Sequence, residues 1–243
     1  MGSLVADATG PAFDASEASL SLLSSSELFS SLPEEALRSV AAQAHPRRFK
    51  KGSRLFHEED PGDEFFVIAE GTVKVVVSSP DGAGMILATL RPPDALGEVS
   101  LLDGGPRSAS AEALDDVLVL AIARSTLLEL IQRERSVADA MLHASGRLLR
   151  RLTGQAADLV FLDLEGRIAK LLIGMAEQSG VSGEAGLALD LGVTQADLAS
   201  MVGGSRQSVN QILRGLAGRG LVDLGKREIT IVDEDALRGR AGL

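Results

Sequence analysis

The stretch Leu96-Gly97-Glu98-Val99-Ser100-Leu101-Leu102, followed within a few residues by Pro106-Arg107-Ser108-Ala109-Ser110, combines the residue types of an anion-binding loop. One carboxylate and one guanidinium stand about ten residues apart, on either side of a short apolar turn that glycine and small residues allow to fold tightly. A planar guanidinium binds two anionic oxygens through parallel hydrogen bonds, and a hydroxyl with small neighbours lets backbone amides approach the same group. The two segments therefore predict a phosphate seat.

The carboxylate of Glu98 adds a requirement for a hydrogen-bond donor on the same ligand. A ribose 2′-hydroxyl close to the phosphate supplies such a donor. The predicted ligand is then a ribonucleotide whose phosphate carries little charge. The alternative is that Glu98 and Arg107 form an ordinary surface ion pair, since such pairs are common and weak.

The string formed by Gly97, Glu98, Arg107, Ser108 and Ala109 resembles the phosphate-binding cassette of the cyclic-nucleotide-binding domain, as found in the family of the cyclic-AMP receptor protein and the FNR regulators. The resemblance implies that Glu98 binds the ribose hydroxyl and that Arg107 and Ser108 bind the cyclic phosphate. The full set of implied nucleotide-binding residues is Gly97, Glu98, Val99, Ser100, Arg107, Ser108, Ala109 and Thr153, with apolar walls from Val75, Leu87 and Leu96.

The identity of the base is the open point of this resemblance. In the cyclic-AMP receptor protein a Thr-Ser pair on the dimerisation helix contacts adenine, and the matching positions here are Leu152 and Thr153. One hydroxyl is kept and the other is lost. Cyclic AMP (cAMP) is the favoured ligand, and cyclic GMP (cGMP) or a cyclic dinucleotide are the alternatives.

Composition limits the possible classes of protein. A chain of 243 residues with 45% hydrophobic residues can bury two cores, which favours two domains. No run of eighteen apolar residues and no secretory signal is present, so a cytoplasmic protein without a membrane segment is expected.

Cysteine is absent, which excludes iron–sulfur clusters and with them the oxygen-sensing FNR branch. The three histidines are scattered and no catalytic constellation is visible, so neither a metal site nor an enzyme is expected.

The charge is distributed unevenly. The net charge of −10 argues against indiscriminate coating of nucleic acid. Residues 166–243 are neutral, however, with nine basic and nine acidic side chains. A specific DNA-binding surface is therefore expected only in the C-terminal third.

Hydrophobic patterns predict an α+β protein in three parts. Short strands with glycine and proline punctuation fill the segment from Arg47 to Ile122 and predict a closed β-roll or jelly roll. From Ser136 apolar residues recur every seven positions, including Met141 with Leu148, and Leu142 with Leu149. A long helix with such a stripe needs a partner, and a second copy of the chain is the economical one. Burial against the roll alone is the alternative.

The C-terminal third has the pattern of a winged helix-turn-helix. Asp163 is the predicted N-cap of its first helix, and Thr194 and Ser205 are the predicted N-caps of two helices joined by Gly203-Gly204. Two apolar runs, 221–224 and 228–232, predict a β-hairpin wing. This segment also resembles the DNA-binding domain of the same family. A helix hairpin unrelated to DNA is the alternative.

A helix-turn-helix places the N-terminal residues of its second helix in the major groove. Arginine suits guanine and glutamine suits adenine. The family's best-known pattern is Arg-Glu with a second Arg four residues after the Glu, whereas this chain has Arg206, Gln207 and Gln211, so the guanine contact should survive while the rest of the half-site differs. The predicted DNA-contacting residues are Thr194, Gln195, Ser205, Arg206, Gln207, Ser208, Asn210, Gln211, Lys226 and Arg227.

These observations predict a homodimeric, cyclic-nucleotide-responsive transcription regulator that binds a double-stranded DNA operator and RNA polymerase. The expected domains are an N-terminal arm (1–26), a cyclic-nucleotide-binding domain (27–134), a dimerisation helix (135–162) and a winged helix-turn-helix domain (163–243). Two other classes remain open. One is a regulator whose roll binds no nucleotide and serves only for dimerisation. The other is a nucleotide-dependent adaptor that contacts proteins rather than DNA.

Overall fold

The computed structural model describes residues 17–79, 84–183, 186–190, 194–225 and 228–243. The chain divides into two compact units, Met1–Leu149 and Arg150–Leu243. The long helix α5 (Arg135–Phe161) begins in the first unit and ends in the second. Each unit has its own hydrophobic core.

The first unit is built on two antiparallel sheets. Its described strands are β1 (His45–Phe49), β2 (Arg54–Phe56), β3 (Glu64–Glu70), β4 (Val73–Ser78), β5 (Gly84–Leu90), β6 (Ala95–Leu96), β7 (Ser110–Ala113) and β8 (Val117–Ala123). One sheet has the strand order β1-β8-β3-β6 and the other β2-β7-β4-β5. The predicted roll of short strands is confirmed, in the form of two facing four-stranded sheets.

The central strands of the first sheet are buried on both faces. In β8, Leu120 and Ile122 join a core formed with the helices, whereas Val119 and Ala121 join the core between the two sheets. Because successive side chains of a strand point to opposite faces, a strand covered on both sides is apolar throughout. This explains why the sequence of β8 reads as a continuous apolar run.

Four described helices belong wholly to the first unit: α1 (Glu17–Ser25), α2 (Glu34–Gln43), α3 (Glu98–Asp103) and α4 (Arg124–Arg133). The prediction of a loose arm over residues 1–26 is wrong for residues 17–25. They form α1, and Leu23 is 0% exposed in the core beside Phe29. The serine-rich sequence has weak helical periodicity, so packing rather than propensity stabilises this helix. Residues 1–16 lie outside the described residues.

Helix α5 is divided between core and surface. Val137 and Met141, near its start, are buried in the core of the first unit. Leu142 is 70% exposed and Phe161 is 82% exposed. The heptad prediction is therefore corrected at Met141, which packs under the roll instead of joining the exposed stripe. The remaining exposed apolar side chains keep the pattern of a helix that requires a partner.

The second unit combines helices with one antiparallel sheet. Its described elements are α6 (Leu164–Ser179), β9 (Val181–Gly183), β10 (Gly186–Asp190), α7 (Gln195–Val202), α8 (Arg206–Gly218), β11 (Val222–Leu224), β12 (Glu228–Ile231) and α9 (Glu234–Ala241). The sheet order is β11-β12-β10-β9. The predicted wing is confirmed as the β11–β12 hairpin, while β9, β10 and α9 were not predicted.

Side-chain caps define the helix starts of the second unit. The Asp163 carboxylate accepts a hydrogen bond from the Gly166 amide at 2.8 Å, at the start of α6. Thr194 and Asp197 form a capping box at the start of α7. Ser205 accepts from the Ser208 amide at 3.1 Å, at the start of α8. All three predicted N-caps are confirmed.

Candidate functional site

The loop between β6 and β7 contains the predicted phosphate seat. The apolar turn expected there is the short helix α3, which Gly97 precedes with a φ of 97°. A Cβ on Gly97 would lie 2.5 Å from Nη1 of Arg107 and 3.2 Å from the carbonyl oxygen of Glu64. Only glycine allows both this backbone conformation and this close approach of the guanidinium.

Arg107 is a buried cation with unused hydrogen-bonding capacity. It is only 3% exposed. Its Nη2 donates to the carbonyl of Glu64 at 2.6 Å, and Nη1 donates more weakly to the carbonyl of Gly97 at 3.5 Å. Among the described residues, Nε has no hydrogen-bond partner. A buried guanidinium in this state is able to bind an anion, because an added oxygen pair would satisfy donors that are now unfilled.

Burial and nearby carboxylates act on Arg107 in opposite directions. Desolvation is the largest effect and lowers the pKa of the guanidinium. It is opposed by four carboxylates that raise the pKa: Glu64, Asp63, Asp60 and Glu98. These carboxylates make the electrostatic potential around the guanidinium more negative.

The main chain on both sides of Arg107 is held in place. The amide of Glu59 donates to the carbonyl of Arg107 at 2.9 Å, and the amide of Arg107 donates to the carbonyl of Asp60 at 2.8 Å. Glu59 has a φ of 69°, an uncommon value for a residue with a side chain. These two backbone hydrogen bonds, here called the backbone bracket, fix the main chain at the arginine. No local sequence pattern predicted them.

The predicted cassette serines have different environments. Ser100 is buried, and its hydroxyl donates to the carbonyl of Pro106 at 3.1 Å, so it ties α3 to the loop that follows. A Cβ on Gly62 would lie 2.1 Å from Cβ of Ser100, which leaves no space for a larger residue there. Ser108 is exposed next to Arg107, whereas Ala109 is buried. Ser108 is thus the serine of the cassette that is open to a ligand.

The remaining predicted nucleotide-binding residues belong to the first unit, except Thr153. Glu98 and Val99, at the start of α3, are half-buried. The apolar wall residues Val75 and Leu87 are half-buried on β4 and β5, whereas Leu96 is buried in the core between the sheets. Thr153 belongs to the second unit, so its part in the site stays a prediction.

Residues that the sequence did not single out complete the surroundings of Arg107. Its Cζ lies 4.2 Å from the ring centroid of Phe56 and 5.6 Å from that of Phe66. These rings and the Glu64 carbonyl are more than forty residues away from Arg107 along the chain, with no shared spacing pattern. Only the apolar, strand-like character of their segments was visible in the sequence.

The predicted DNA-reading surface lies on α7, the turn and α8. Gly203 ends α7 with a φ of 65°, and α8 buries Val209 and Leu213 on its inner face. Arg206, Gln207 and Gln211 are exposed on the outer face. This is the amphipathic arrangement of a helix that presents polar side chains outward from a packed helix pair.

The other predicted DNA-contacting residues differ in whether their side chains are free to contact DNA. The side-chain oxygens of Thr194 and Ser205 are engaged in capping their helices. Gln195 is exposed, and Ser208 and Asn210 are half-buried. Lys226 and Arg227, the predicted phosphate contacts of the wing, lie outside the described residues.

Two features are absent from the ranges that the structure describes. No helix in these ranges combines the length and apolar composition required to span a bilayer. In the same ranges, His, Asp and Glu side chains form no group of three or more that could hold a metal ion.

Comparison with known families agrees with both regions. A model described as "Cyclic nucleotide-binding domain" matches residues 46–134, and one described as "Crp-like helix-turn-helix domain" matches residues 166–240. This pair of domains defines a cyclic-nucleotide-responsive, DNA-binding transcription regulator.

Whole-chain relatives support the same class. The chain is 33% identical over 220 residues to a "CRP-like cAMP-activated global transcriptional regulator" of Mycobacterium tuberculosis, covering 90% of this chain and 98% of the relative. It is 32% identical over 216 residues to the "Cyclic AMP receptor protein" of Thermus thermophilus, covering 87% and 97%. The chain therefore belongs to the cyclic-AMP receptor protein family of transcriptional regulators.

Solved structures place the fold in the same group. FixK2 from Bradyrhizobium japonicum superposes with a TM-score of 0.73 at 23% sequence identity, covering 81% of this chain and 96% of that one. At this identity the comparison concerns the fold alone. It agrees with the order of elements described above: a β-roll, a long helix and a helix-turn-helix.

Proposed function

We propose that this regulator responds to cAMP, bound in the first unit with its cyclic phosphate on Arg107 and Ser108 and its ribose on Glu98. The observation that carries the proposal is the buried guanidinium of Arg107, whose Nε has no partner among the described residues. A singly charged cyclic phosphate would accept a hydrogen bond from Nε and would pair with the charge of the guanidinium. The two relatives named above, one described as cAMP-activated and the other as a cyclic AMP receptor protein, support the choice of this nucleotide.

The DNA-binding part of the proposal concerns α8. Arg206 reads a guanine, and Gln207 and Gln211 read other bases of the half-site. Lys226 and Arg227 hold DNA phosphates from the wing. The exposed outer face of α8 supports these roles.

The active form is proposed to be a homodimer joined along α5. The exposed apolar side chains of Leu142 and Phe161 support this arrangement, since burying them against a second copy removes them from water. A twofold dimer places two reading helices about one DNA turn apart, roughly 34 Å. RNA polymerase as a partner and a cytoplasmic location follow from the proposed role in transcription, and no catalytic activity is proposed.

Communication between the nucleotide and the DNA is proposed to run through α5 and its junction with α6. Arg167 spans this junction: Nη1 donates to the carbonyl of Leu162 and Nε donates to the carbonyl of Val202, both at 2.9 Å. These bonds join the end of α5 to α7. A nucleotide that orders α5 would change the setting of the reading helices, to the extent that it binds the two states with different affinity.

The test is a calorimetric titration of the purified protein with cAMP and with cGMP, with Glu98→Ala as the matched variant. We expect saturable binding of cAMP that exceeds binding of cGMP and weakens in Glu98→Ala. Operator affinity, measured with and without nucleotide by anisotropy of labelled DNA, should rise with cAMP. Tighter binding of cGMP or of a cyclic dinucleotide would replace cAMP as the proposed ligand. DNA affinity that no nucleotide changes would favour the regulator with an empty roll, and intact function without DNA binding would favour the protein adaptor.

A further inference from the structure

Arg107 is stabilised in an unusual way for a buried cation. Buried guanidinium groups are ordinarily paired with carboxylates, because burial of an unpaired charge is costly. Within the described residues, the hydrogen bonds of the Arg107 side chain go only to the backbone carbonyls of Glu64 and Gly97, and its Nε has no partner. The four nearby carboxylates that oppose the desolvation accept no hydrogen bond from this side chain within the described residues, so a group of another kind can contribute to its stabilisation at close range.

Phe56 is that group. The Arg107 Cζ lies over its ring, 4.2 Å from the centroid, well inside the distance of about 6 Å at which an aromatic face attracts a cation. A carboxylate in this place would occupy in-plane N–H donors and would repel a phosphate. An aromatic ring contacts the flat face of the guanidinium, leaves the in-plane donors available and adds no negative charge.

The Phe56 ring is itself held by the fold. It stacks on Phe66, with ring centroids 5.9 Å apart and an interplanar angle of 18°. Phe66 is almost fully buried in the core between the sheets. In β2, Phe56 pairs with Ala111, and the register shifts between Arg54 and Phe56. Such an irregularity redirects a side chain, which here brings the ring to Arg107.

We propose that Phe56 is a positioning residue of the nucleotide site: its ring holds the Arg107 guanidinium in the orientation that presents the in-plane N–H groups to the phosphate. This inference rests on the proposed function, because it requires a cyclic nucleotide as the ligand. Phe56 acts through Arg107, and its loss should weaken nucleotide binding without removing the charge.

The first test compares Phe56→Leu with Phe49→Leu. Phe49 is a matched control, since it is also half-buried against the core between the sheets and its ring lies 5.5 Å from Cζ of a different arginine, Arg47. We expect Phe56→Leu to weaken cAMP binding by about 3- to 30-fold in calorimetry, the equivalent of one cation–π contact. Phe49→Leu should leave it unchanged. Thermal melts followed by circular dichroism check that both variants fold.

Two further variants separate positioning from packing. Phe56→Trp keeps an aromatic face and should restore affinity, and because the chain has no tryptophan the introduced indole also reports nucleotide binding by its fluorescence. In an Arg107→Gln background, Phe56→Leu should cause no further loss of affinity. A merely structural effect of the leucine would persist in that background.

The outcomes distinguish failure of the proposed role of Phe56 from failure of the proposed nucleotide response. If the unmodified protein binds cAMP but Phe56→Leu and Phe49→Leu weaken binding equally, the role of Phe56 is overturned while the proposed function stands. If Phe56→Trp binds as weakly as Phe56→Leu, the same conclusion follows. If the unmodified protein binds neither cAMP nor cGMP, both the proposed function and the role of Phe56 are overturned.

Discussion

The two arginines that carry the proposed functions lie in opposite environments. Arg107, in the first unit, is buried, bonded to backbone carbonyls and covered by an aromatic ring. Arg206, in the second unit, is exposed at the start of α8. The fold dictates the geometry of the first and leaves the second free to vary. A small ligand of constant shape can be received by a preformed seat, whereas a DNA sequence is read by side chains that the core does not constrain.

The largest expected effect comes from removing the buried charge. Arg107→Gln deletes charge-assisted hydrogen bonds worth roughly 1.5–3 kcal/mol each, so cAMP affinity should fall by about 100-fold or more in calorimetry. Arg48→Gln is the control, because Arg48 is exposed and forms a surface ion pair with Glu70 at 3.5 Å. Unchanged affinity in Arg107→Gln would mean that the buried guanidinium is structural, and the contrast with Arg206 would disappear.

The backbone of the seat should be nearly as sensitive. Gly97→Ala places a Cβ 2.5 Å from Nη1 of Arg107 at a φ of 97°, so we expect unfolding free energy to fall by about 1–3 kcal/mol and cAMP affinity to weaken with it. Gly174→Ala, in the interior of α6 with open space around its Cβ, should instead stabilise the protein by about 1 kcal/mol. Urea denaturation followed by circular dichroism measures both. Equal effects would show that the seat is not preformed.

The exposed arginine should act on DNA alone. Arg206→Ala is expected to weaken operator binding by about 1–3 kcal/mol and to relax the preference for one base pair, since one bidentate base contact is lost. Stability and cAMP affinity should not change, because the exposed Arg206 side chain neither forms the cap, which Ser205 supplies, nor packs in the core. The measurement is anisotropy of a labelled operator at fixed salt. Arg214→Ala is the control: Arg214 is exposed further along α8, where a contact with a DNA phosphate is expected, so its loss should weaken all sequences alike.

The smallest predicted effect concerns the support of the reading helices. Thr194→Ala breaks the capping box with Asp197 and should lower stability by about 1 kcal/mol. Thr194→Ser keeps the hydroxyl and should retain most of it. Calorimetry should show unchanged cAMP affinity in both variants. A loss of DNA affinity in Thr194→Ser as large as in Thr194→Ala would assign Thr194 to direct DNA contact instead of capping.

The sequence-based predictions were correct where the interactions join residues close together in the chain, and they failed where the interactions join distant segments. The caps at Asp163, Thr194 and Ser205 were predicted correctly, because each bond joins residues three positions apart. Strand β10 was missed, since it depends on pairing with β12, in which Leu187 lies opposite Ile231. Helix α1 was missed because its weak periodicity is overridden by burial of Leu23.

The class of this protein was determined by its sequence alone, because the cassette around Glu98 and Arg107, the strand and heptad periodicities and the helix caps are all local patterns. Only the tertiary structure decided what surrounds the arginine: the ring of Phe56, the carbonyl of Glu64 and the backbone bracket at Glu59. These contacts join β2, β3 and the loop before β7, segments that chain spacing does not relate. Their geometry is set by how the two sheets pack, and packing depends on side-chain shapes across the whole core rather than on any short pattern.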